Sequence, residues 1–207
     1  MLFNKKLIKI ITLFFLILCS FISYSYTESE LSKSQVNQLG SDTAEHLLVE
    51  YASMSCVHCA SFHNNEFPKI KKNFIDTGKL KFIYKDFPLD RPAMFASMVA
   101  NCFKGDQYFE ILSSLYRNQK AWVTVSDNSG KFYSTIQSKL KVHGISLQKV
   151  LECVDDKSEI NQKTWDRIIA NRLEGQKNGV NSTPSFFLNG KKLEEPLNYE
   201  LLEKLLK

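Results

Sequence analysis

The sequence contains few cysteines and histidines, the residues that most often bind zinc in structural sites. It contains five cysteines and four histidines in 207 residues. One Cys-x-x-Cys motif occurs, Cys56–Cys59, without a second copy and without a His-x-x-x-His pair. A zinc site on these cysteines would need two further ligands, for which His58 and His63 are the nearest candidates. Zinc is therefore the weaker alternative, and no metal site is predicted.

The sequence also lacks the run of about 20 apolar residues that a helix needs to cross a bilayer. Its most apolar segment, residues 10–22, follows three lysines and precedes Ser23-Tyr-Ser25. A basic start, a short apolar segment and small residues are the layout of a secretory signal. We predict a signal peptide at residues 1–25. An uncleaved membrane anchor is one disfavoured alternative. A lipid anchor on Cys19 is the other, because a lipoprotein signal has a small residue where this chain has the bulky Leu18.

The chain has little net charge without that signal. Residues 1–25 hold three lysines and no acidic residue, so their removal lowers the formal charge from +5 to +2. A near-neutral chain gives no electrostatic reason to expect a nucleic acid as partner. The rest of the chain is long enough for one domain with its own core.

Cysteine usage indicates the compartment. After export four cysteines would remain: Cys56, Cys59, Cys102 and Cys153. An even number in an exported chain favours disulfides, whereas the same number in a cytosolic enzyme would favour metal binding. We therefore predict a periplasmic protein with disulfide chemistry.

The first half of the chain predicts an arm followed by alternating strands and helices. Residues 26–44 are polar without apolar periodicity and are expected to form a flexible N-terminal arm. The segments 46–52 and 79–85 have strand patterns, and a helix kinked at Pro68 is predicted for residues 60–76.

The second half predicts a helical block and a return to strands. From about residue 91 to 177 the apolar spacing is helical. Residues 183–188 have a strand pattern, Asn189-Gly190 predicts a hairpin turn, and residues 197–207 predict a closing helix. The result is an α/β domain over residues 45–207 with a helical insertion.

The Cys56–Cys59 motif suits a redox-active dithiol. A strand precedes it and a helix follows, so Cys56 is expected at a helix start, where unpaired N–H groups and the helix dipole favour a thiolate and lower its pKa. Cys59 lies one turn deeper, and His58 is expected to donate a hydrogen bond or positive charge to the Cys56 sulfur. A stabilised thiolate favours the reduced form and makes the disulfide a stronger oxidant.

Residues 50–59, Glu-Tyr-Ala-Ser-Met-Ser-Cys-Val-His-Cys, resemble the active-site segment of the DsbA-like thiol:disulfide oxidoreductases. Residues 85–89, 100–103 and 179–190 match further segments of that family in the same order, and the resemblance extends from Leu47 to Lys207. It implies a thioredoxin fold with an inserted helical subdomain and a dithiol oxidase that needs no cofactor.

The resemblance also implies roles for single residues. The Thr183-Pro184 bond is expected to be cis, to face the cysteines and to bind the substrate main chain. Glu50 is expected to be a buried acid that influences the proton of Cys59, with Lys85 as its partner; a solvated strand edge is the alternative for Glu50. Val57 replaces the proline that usually precedes the histidine in this family, and this residue tunes the thiolate.

Two further expectations concern cysteines and histidines outside the motif. Cys102 and Cys153 are expected to form a second, structural disulfide, as in a subset of the family, with two buried free thiols as the alternative. His46, His63 and His143 have no partners at catalytic spacing.

These features predict an oxidase that introduces disulfides into reduced, unfolded exported proteins. The family implies reoxidation by a membrane protein resembling DsbB, so the membrane would be only a transient partner site. A monomer is expected, because too little chain precedes the first strand for an N-terminal dimerisation domain. The alternatives are an isomerase or reductase of the same fold, and a non-catalytic peptide- or metal-binding module.

Overall fold

The computed structural model describes residues 37–207. The predicted signal peptide and residues 26–36 of the predicted arm lie outside the described residues. A mixed sheet of five strands, in the order β1-β3-β2-β4-β5, occupies the centre. The strands are β1 (Asn37–Leu39), β2 (His46–Ala52), β3 (Leu80–Asp86), β4 (Ser185–Leu188) and β5 (Lys191–Lys192). Strands β2 and β3 are parallel, and the other neighbouring pairs are antiparallel.

Strand β1 corrects the prediction that the whole of residues 26–44 is a flexible arm. Its three residues pair with β3, from Asn37 opposite Tyr84 to Leu39 opposite Phe82. Leu39 is buried in the core. A strand this short has too few residues to show a period-two pattern, so only the partner strand reveals it.

The helix predicted over residues 60–76 is broken instead of kinked. Helix α1 (Val57–Asn65) ends at Glu66, α2 (Phe67–Ile70) follows, and a π-helical turn spans Lys71–Ile75. Pro68 lies in the first turn of α2. A proline is tolerated there because the N–H it lacks has no partner within the helix.

Residues 91–177 are largely helical, as their apolar spacing indicates. The inserted helices are α3 (Arg91–Asn101), α4 (Gly105–Arg117), α5 (Gln119–Val123), α6 (Ser129–Leu140), α7 (Leu147–Glu152) and α8 (Glu159–Lys177), with a 3₁₀ turn at Lys141–His143. Side chains of Asp90, Asn128 and Ser146 cap α3, α6 and α7 by accepting backbone N–H bonds. The last helix, α9 (Tyr199–Leu205), is capped by Asn198.

One hydrophobic core joins the sheet to the insertion. It contains Leu48 and Phe82 from the sheet, Leu115 from α4 and the fully buried Trp122 from α5. The insertion therefore packs on the same core as the redox motif, and α4 lies against α1. None of the helices within residues 37–207 is long and apolar enough to span a membrane.

A disulfide joins Cys102, after α3, to Cys153, after α7. The two residues are 51 apart in sequence, and a loop of that length restricts the unfolded chain by on the order of 4 kcal/mol. We expect Cys102→Ala/Cys153→Ala to lower the free energy of unfolding by about this amount in urea titrations. The wild-type chain without reductant is the control, and equal values for the two proteins would contradict the prediction.

Gly175 in α8 allows the helix to approach the sheet closely. A Cβ atom at this position would lie 2.8 Å from Tyr51 Cδ1 and 3.0 Å from the Phe87 ring. We expect Gly175→Ala to destabilise the fold by about 1–3 kcal/mol through overpacking, measured by thermal or urea unfolding.

The matched control for this substitution is Gly130→Ala in α6. Its Cβ atom would make only an ordinary contact, 3.6 Å from Asn128 Oδ1. A gain of about 0.5–1 kcal/mol is expected there, because alanine is the better helix former. Equal changes in the free energy of unfolding for the two substitutions would show that the close approach of α8 to the sheet leaves room for a Cβ atom at position 175.

Candidate active site

Cys56 is the N-cap residue of α1, directly after β2 and a short loop. Its Sγ accepts a hydrogen bond from the backbone N–H of Cys59, at 3.3 Å. Its thiol donates to the carbonyl oxygen of Thr183, at 3.2 Å. The sulfur therefore lies at the positive end of the helix dipole, among N–H groups that have no partner within the helix.

The two cysteines, both free thiols in this structure, have opposite acidities. The pKa of Cys56 is lowered to about 5, chiefly by a hydrogen bond from the Cys59 side chain and further by the backbone N–H groups of Cys59 and His58, against the effect of burial. Burial raises the pKa of Cys59, and the hydrogen bond with Cys56 and the negative charge of Glu50 raise it further. Cys56 is thus the thiolate, and Cys59 keeps its proton.

The sheet brings the Thr183-Pro184 segment to the cysteines. This peptide bond is cis, and strand β4 begins directly after it and pairs antiparallel with β2. Thr183 therefore contacts Cys56 across 127 residues of sequence. The cis bond and its position opposite the cysteines are those that the resemblance implies.

His58 and Val57 both lie on the surface between the cysteines, and Val57 is 67% exposed. The hydrogen bond that His58 provides to the Cys56 sulfur comes from its backbone N–H. Within residues 37–207 the imidazole ring of His58 makes no hydrogen bond to either cysteine. The expected hydrogen bond from the ring is thus not formed, and the main chain of the helix start provides one in its place.

Lys85 is not the partner of Glu50, contrary to the prediction. Glu50 is fully buried and its Oε2 lies 2.9 Å from His63 Nε2. Glu50 stands opposite Tyr84 in the parallel register, so Lys85 points to the other face of the sheet. There its Nζ lies 2.6 Å from the Glu174 carboxylate. The burial of Glu50 also excludes the solvated strand edge.

His63 is a residue of the site that sequence spacing did not indicate. Its position four residues after Cys59 was the available signal, because residues i and i+4 share a helix face. The other two histidines lie elsewhere: His46 bonds Asn189 in the hairpin turn, and His143 lies 3.9 Å from Glu110.

The helical insertion contributes a second residue that the sequence did not indicate. The Gln119 amide, which is buried, donates to the carbonyl oxygens of Met54 and Cys56 at 2.7 and 2.8 Å. The hydroxyl of Tyr116, in the preceding helix α4, donates to the Ser53 carbonyl at 3.3 Å. The insertion thereby holds the loop that leads into α1.

A groove of about 650 Å³ runs beside the cis peptide bond. It is lined by His58 and Phe62 of α1, by the 181–186 segment and by the 192–197 segment. An extended peptide could lie in this groove next to Cys56. Among residues 37–207 no three His, Cys, Asp or Glu side chains are grouped so that they could bind a metal ion.

Comparison with known proteins places this geometry in a family. The family model described as thioredoxin matches residues 32–207. The chain is 30% identical to a putative protein-disulfide oxidoreductase of Rickettsia typhi, over 79% of this chain and 57% of that protein. It is 26% identical to disulfide bond formation protein D of Bacillus subtilis, over 82% of this chain and 76% of that one.

A solved structure agrees with these sequence matches. The structure of Wolbachia pipientis alpha-DsbA1 superposes with a TM-score of 0.70 at 28% identity, covering 83% of this chain and 88% of that chain. The predicted thioredoxin fold is confirmed. The chain spans little more than half the length of the Rickettsia typhi relative. It belongs to the thioredoxin family, and its structure is similar to that of a DsbA protein.

Proposed function

We propose that this chain is an exported oxidase that introduces disulfide bonds into other exported proteins through Cys56 and Cys59. The low pKa of Cys56, about 5, carries the proposal. A thiolate held by the helix start favours the reduced enzyme, so the oxidised enzyme gains free energy when it gives its disulfide away.

The reaction begins with the Cys56–Cys59 disulfide. A substrate thiolate attacks Cys56 Sγ, the bond between the two cysteines breaks, and Cys59 leaves as a thiolate that takes up one proton. A second substrate thiolate then attacks the substrate sulfur of the mixed disulfide and releases Cys56 as a stable thiolate. Two substrate thiolates are oxidised to a disulfide, and the enzyme dithiol is the reduced product.

The substrates proposed are reduced, unfolded proteins of many sequences. The Thr183 backbone and the groove beside Pro184 offer a main-chain edge and half-buried apolar surface, which accept an extended peptide with little dependence on its side chains. Val57, exposed between the cysteines, would contact the bound peptide and tune the thiolate.

The proposal includes a cellular setting. Residues 1–25 would direct export to the periplasm, and residues 45–207 would act there as a monomer. A membrane protein resembling DsbB would reoxidise Cys56 and Cys59. The name of the Bacillus subtilis relative, a disulfide bond formation protein, supports the direction of the reaction.

The reduction potential tests oxidase against reductase. Equilibration with glutathione should give a value closer to the roughly −120 mV of a strong dithiol oxidase than to the roughly −270 mV of thioredoxin. A value near that of thioredoxin would favour a reductase. Faster repair of a scrambled substrate than oxidation of a reduced one would favour an isomerase, and stoichiometric zinc in freshly purified protein would favour a metal-binding module.

A further inference from the structure

A buried histidine–carboxylate pair lies beneath the cysteines. Both side chains have no solvent exposure, and His63 Nε2 lies 2.9 Å from Glu50 Oε2. Nε2 is the only group among residues 37–207 that hydrogen-bonds the Glu50 carboxylate, since Oε1 is buried without a partner. A buried carboxylate stays ionised only when such a partner stabilises it.

The pair belongs to the surroundings of Cys59. His63 follows Cys59 by four residues, so both side chains lie on the same face of α1. The charge of Glu50 acts on the Cys59 thiol and also on Tyr116. The His63 ring stacks on the Tyr116 ring, with centroids 4.4 Å apart and an interplanar angle of 12°.

Several titratable side chains surround the pair. The titratable groups that face it are Cys59 from α1, Tyr84 and Asp86 from β3, and Tyr108 and Tyr116 from α4. Burial raises the pKa of all three tyrosines well above the ordinary value, so they stay neutral. Burial also raises the pKa of Asp86, whose carboxylate accepts a hydrogen bond from Asn101. On β4 the residue next to Glu50 is Phe186.

The family resemblance implies that Glu50 influences the proton of Cys59, and we propose that His63 is the positioning residue that holds the Glu50 carboxylate for this role. The inference rests on the proposed thiol–disulfide exchange. When Cys56 carries a mixed disulfide, the Cys59 thiol gives its proton to the Glu50 carboxylate, and Cys59 Sγ attacks Cys56 Sγ. The outer sulfur leaves as a thiolate: Cys59 is oxidised and the leaving group is reduced. In the oxidase direction the proton returns from Glu50 to the departing Cys59 thiolate.

The test isolates this step. Glutathione is attached to Cys56 as a mixed disulfide, and its release by Cys59 is followed in a stopped-flow instrument over roughly pH 4 to 9. In the wild-type chain release should accelerate as the pH rises and then reach a plateau. Glu50→Gln should remove this rise and slow release at neutral pH by about 100-fold.

Two substitutions of His63 separate hydrogen bonding from packing. His63→Phe keeps an aromatic ring against Tyr116 but removes the N–H donor, so the rise should move upward by about one pH unit or more, with release about tenfold slower at neutral pH. His63→Gln keeps an N–H donor and should restore the wild-type rate to within about threefold. His143→Gln, in the half-exposed pair of His143 with Glu110, is the matched control and should leave the profile unchanged.

Failure of the proposed thiol–disulfide exchange and failure of the proposed role of His63 give different results. If wild-type protein released no glutathione, the proposed exchange between Cys56 and Cys59 would be wrong. If wild-type protein released it and His63→Phe had the same pH profile, His63 would serve packing alone. If His63→Phe failed to fold, the other two variants would decide. The inference would be overturned if Glu50→Gln had the wild-type pH profile. It would also be overturned if His63→Gln slowed glutathione release as much as Glu50→Gln did.

Discussion

Replacing Cys56 by alanine should reduce the oxidation of an unfolded, reduced substrate protein to the uncatalysed rate. The expected loss is about a thousandfold or more, because the attacked sulfur is removed and no other described residue replaces it. The other cysteines are unsuited, since Cys59 is buried with a raised pKa and Cys102 and Cys153 are already bonded to each other.

The companion substitution Cys59→Ala distinguishes the roles of the two sulfurs. This variant keeps the thiolate of Cys56 but cannot form the internal disulfide, so it should accumulate mixed disulfides with substrates, detectable by mass spectrometry. Oxidase activity can be followed by the appearance of disulfide-bonded substrate. Full activity in Cys56→Ala, or mixed disulfides on residue 59 in that variant, would reverse the assignment of the nucleophile.

The free energy of unfolding of the reduced protein should depend strongly on pH, because the Cys56 thiol titrates. The oxidised protein has no thiol at Cys56 and should lack this dependence. The pKa of Cys56 is about 5 when folded, against 9.0 for an ordinary thiol. A group whose pKa is depressed by folding stabilises the protein fully above the unfolded value, and that stability is lost as pH falls through the folded value. The contribution is therefore complete near pH 9 and gone below about pH 5.

The difference in unfolding free energy between the reduced and oxidised proteins measures this contribution. Between pH 5 and pH 9 the free energy of unfolding of the reduced protein should rise by about 2–4 kcal/mol relative to that of the oxidised protein. This range allows for solvent screening at a half-buried sulfur. Urea titrations at several pH values would measure it, with reduced Cys56→Ser as the control that lacks the thiolate. The same pH dependence in that variant would assign the effect to other groups.

The helical insertion contacts the candidate active site. Gln119 binds two carbonyl groups at the start of α1, and Tyr116 binds a third in the same loop. These bonds fix the first turn of the helix whose N–H groups lower the pKa of Cys56. The insertion therefore supports the acidity of the nucleophile, in addition to enlarging the core.

Beneath the cysteines one buried polar pair is surrounded by aromatic rings. The Glu50–His63 pair lies within rings of Phe67, Tyr84 and Tyr116. A buried charge among rings is costly unless it is paired. Lys85, the predicted partner of Glu50, does not supply that pairing because it lies on the opposite sheet face, and Lys69 lies 3.7 Å from Glu66.

Local sequence determined the parts of this protein that depend on neighbours along the chain. Alternation of polar and apolar residues predicted β3, an Asn-Gly pair predicted the hairpin turn, and a strand followed by Cys-x-x-Cys and a helix predicted an acidic Cys56. Such features arise from hydrogen bonds and side-chain spacing over a few residues. The resemblance added the cis bond before Pro184 and the pairing of Cys102 with Cys153, which spacing could not reveal.

Only the tertiary structure decided the contacts that cross from one element to another. The register of β2 on β3 turned Glu50 towards α1 and Lys85 away from it, so His63 became the partner. The same holds for β1, visible only as the partner of β3, and for Gln119, which reaches Cys56 from 63 residues away. A shift of one residue in a strand reverses the face of every side chain, and apolar periodicity does not specify which strands meet or in what register.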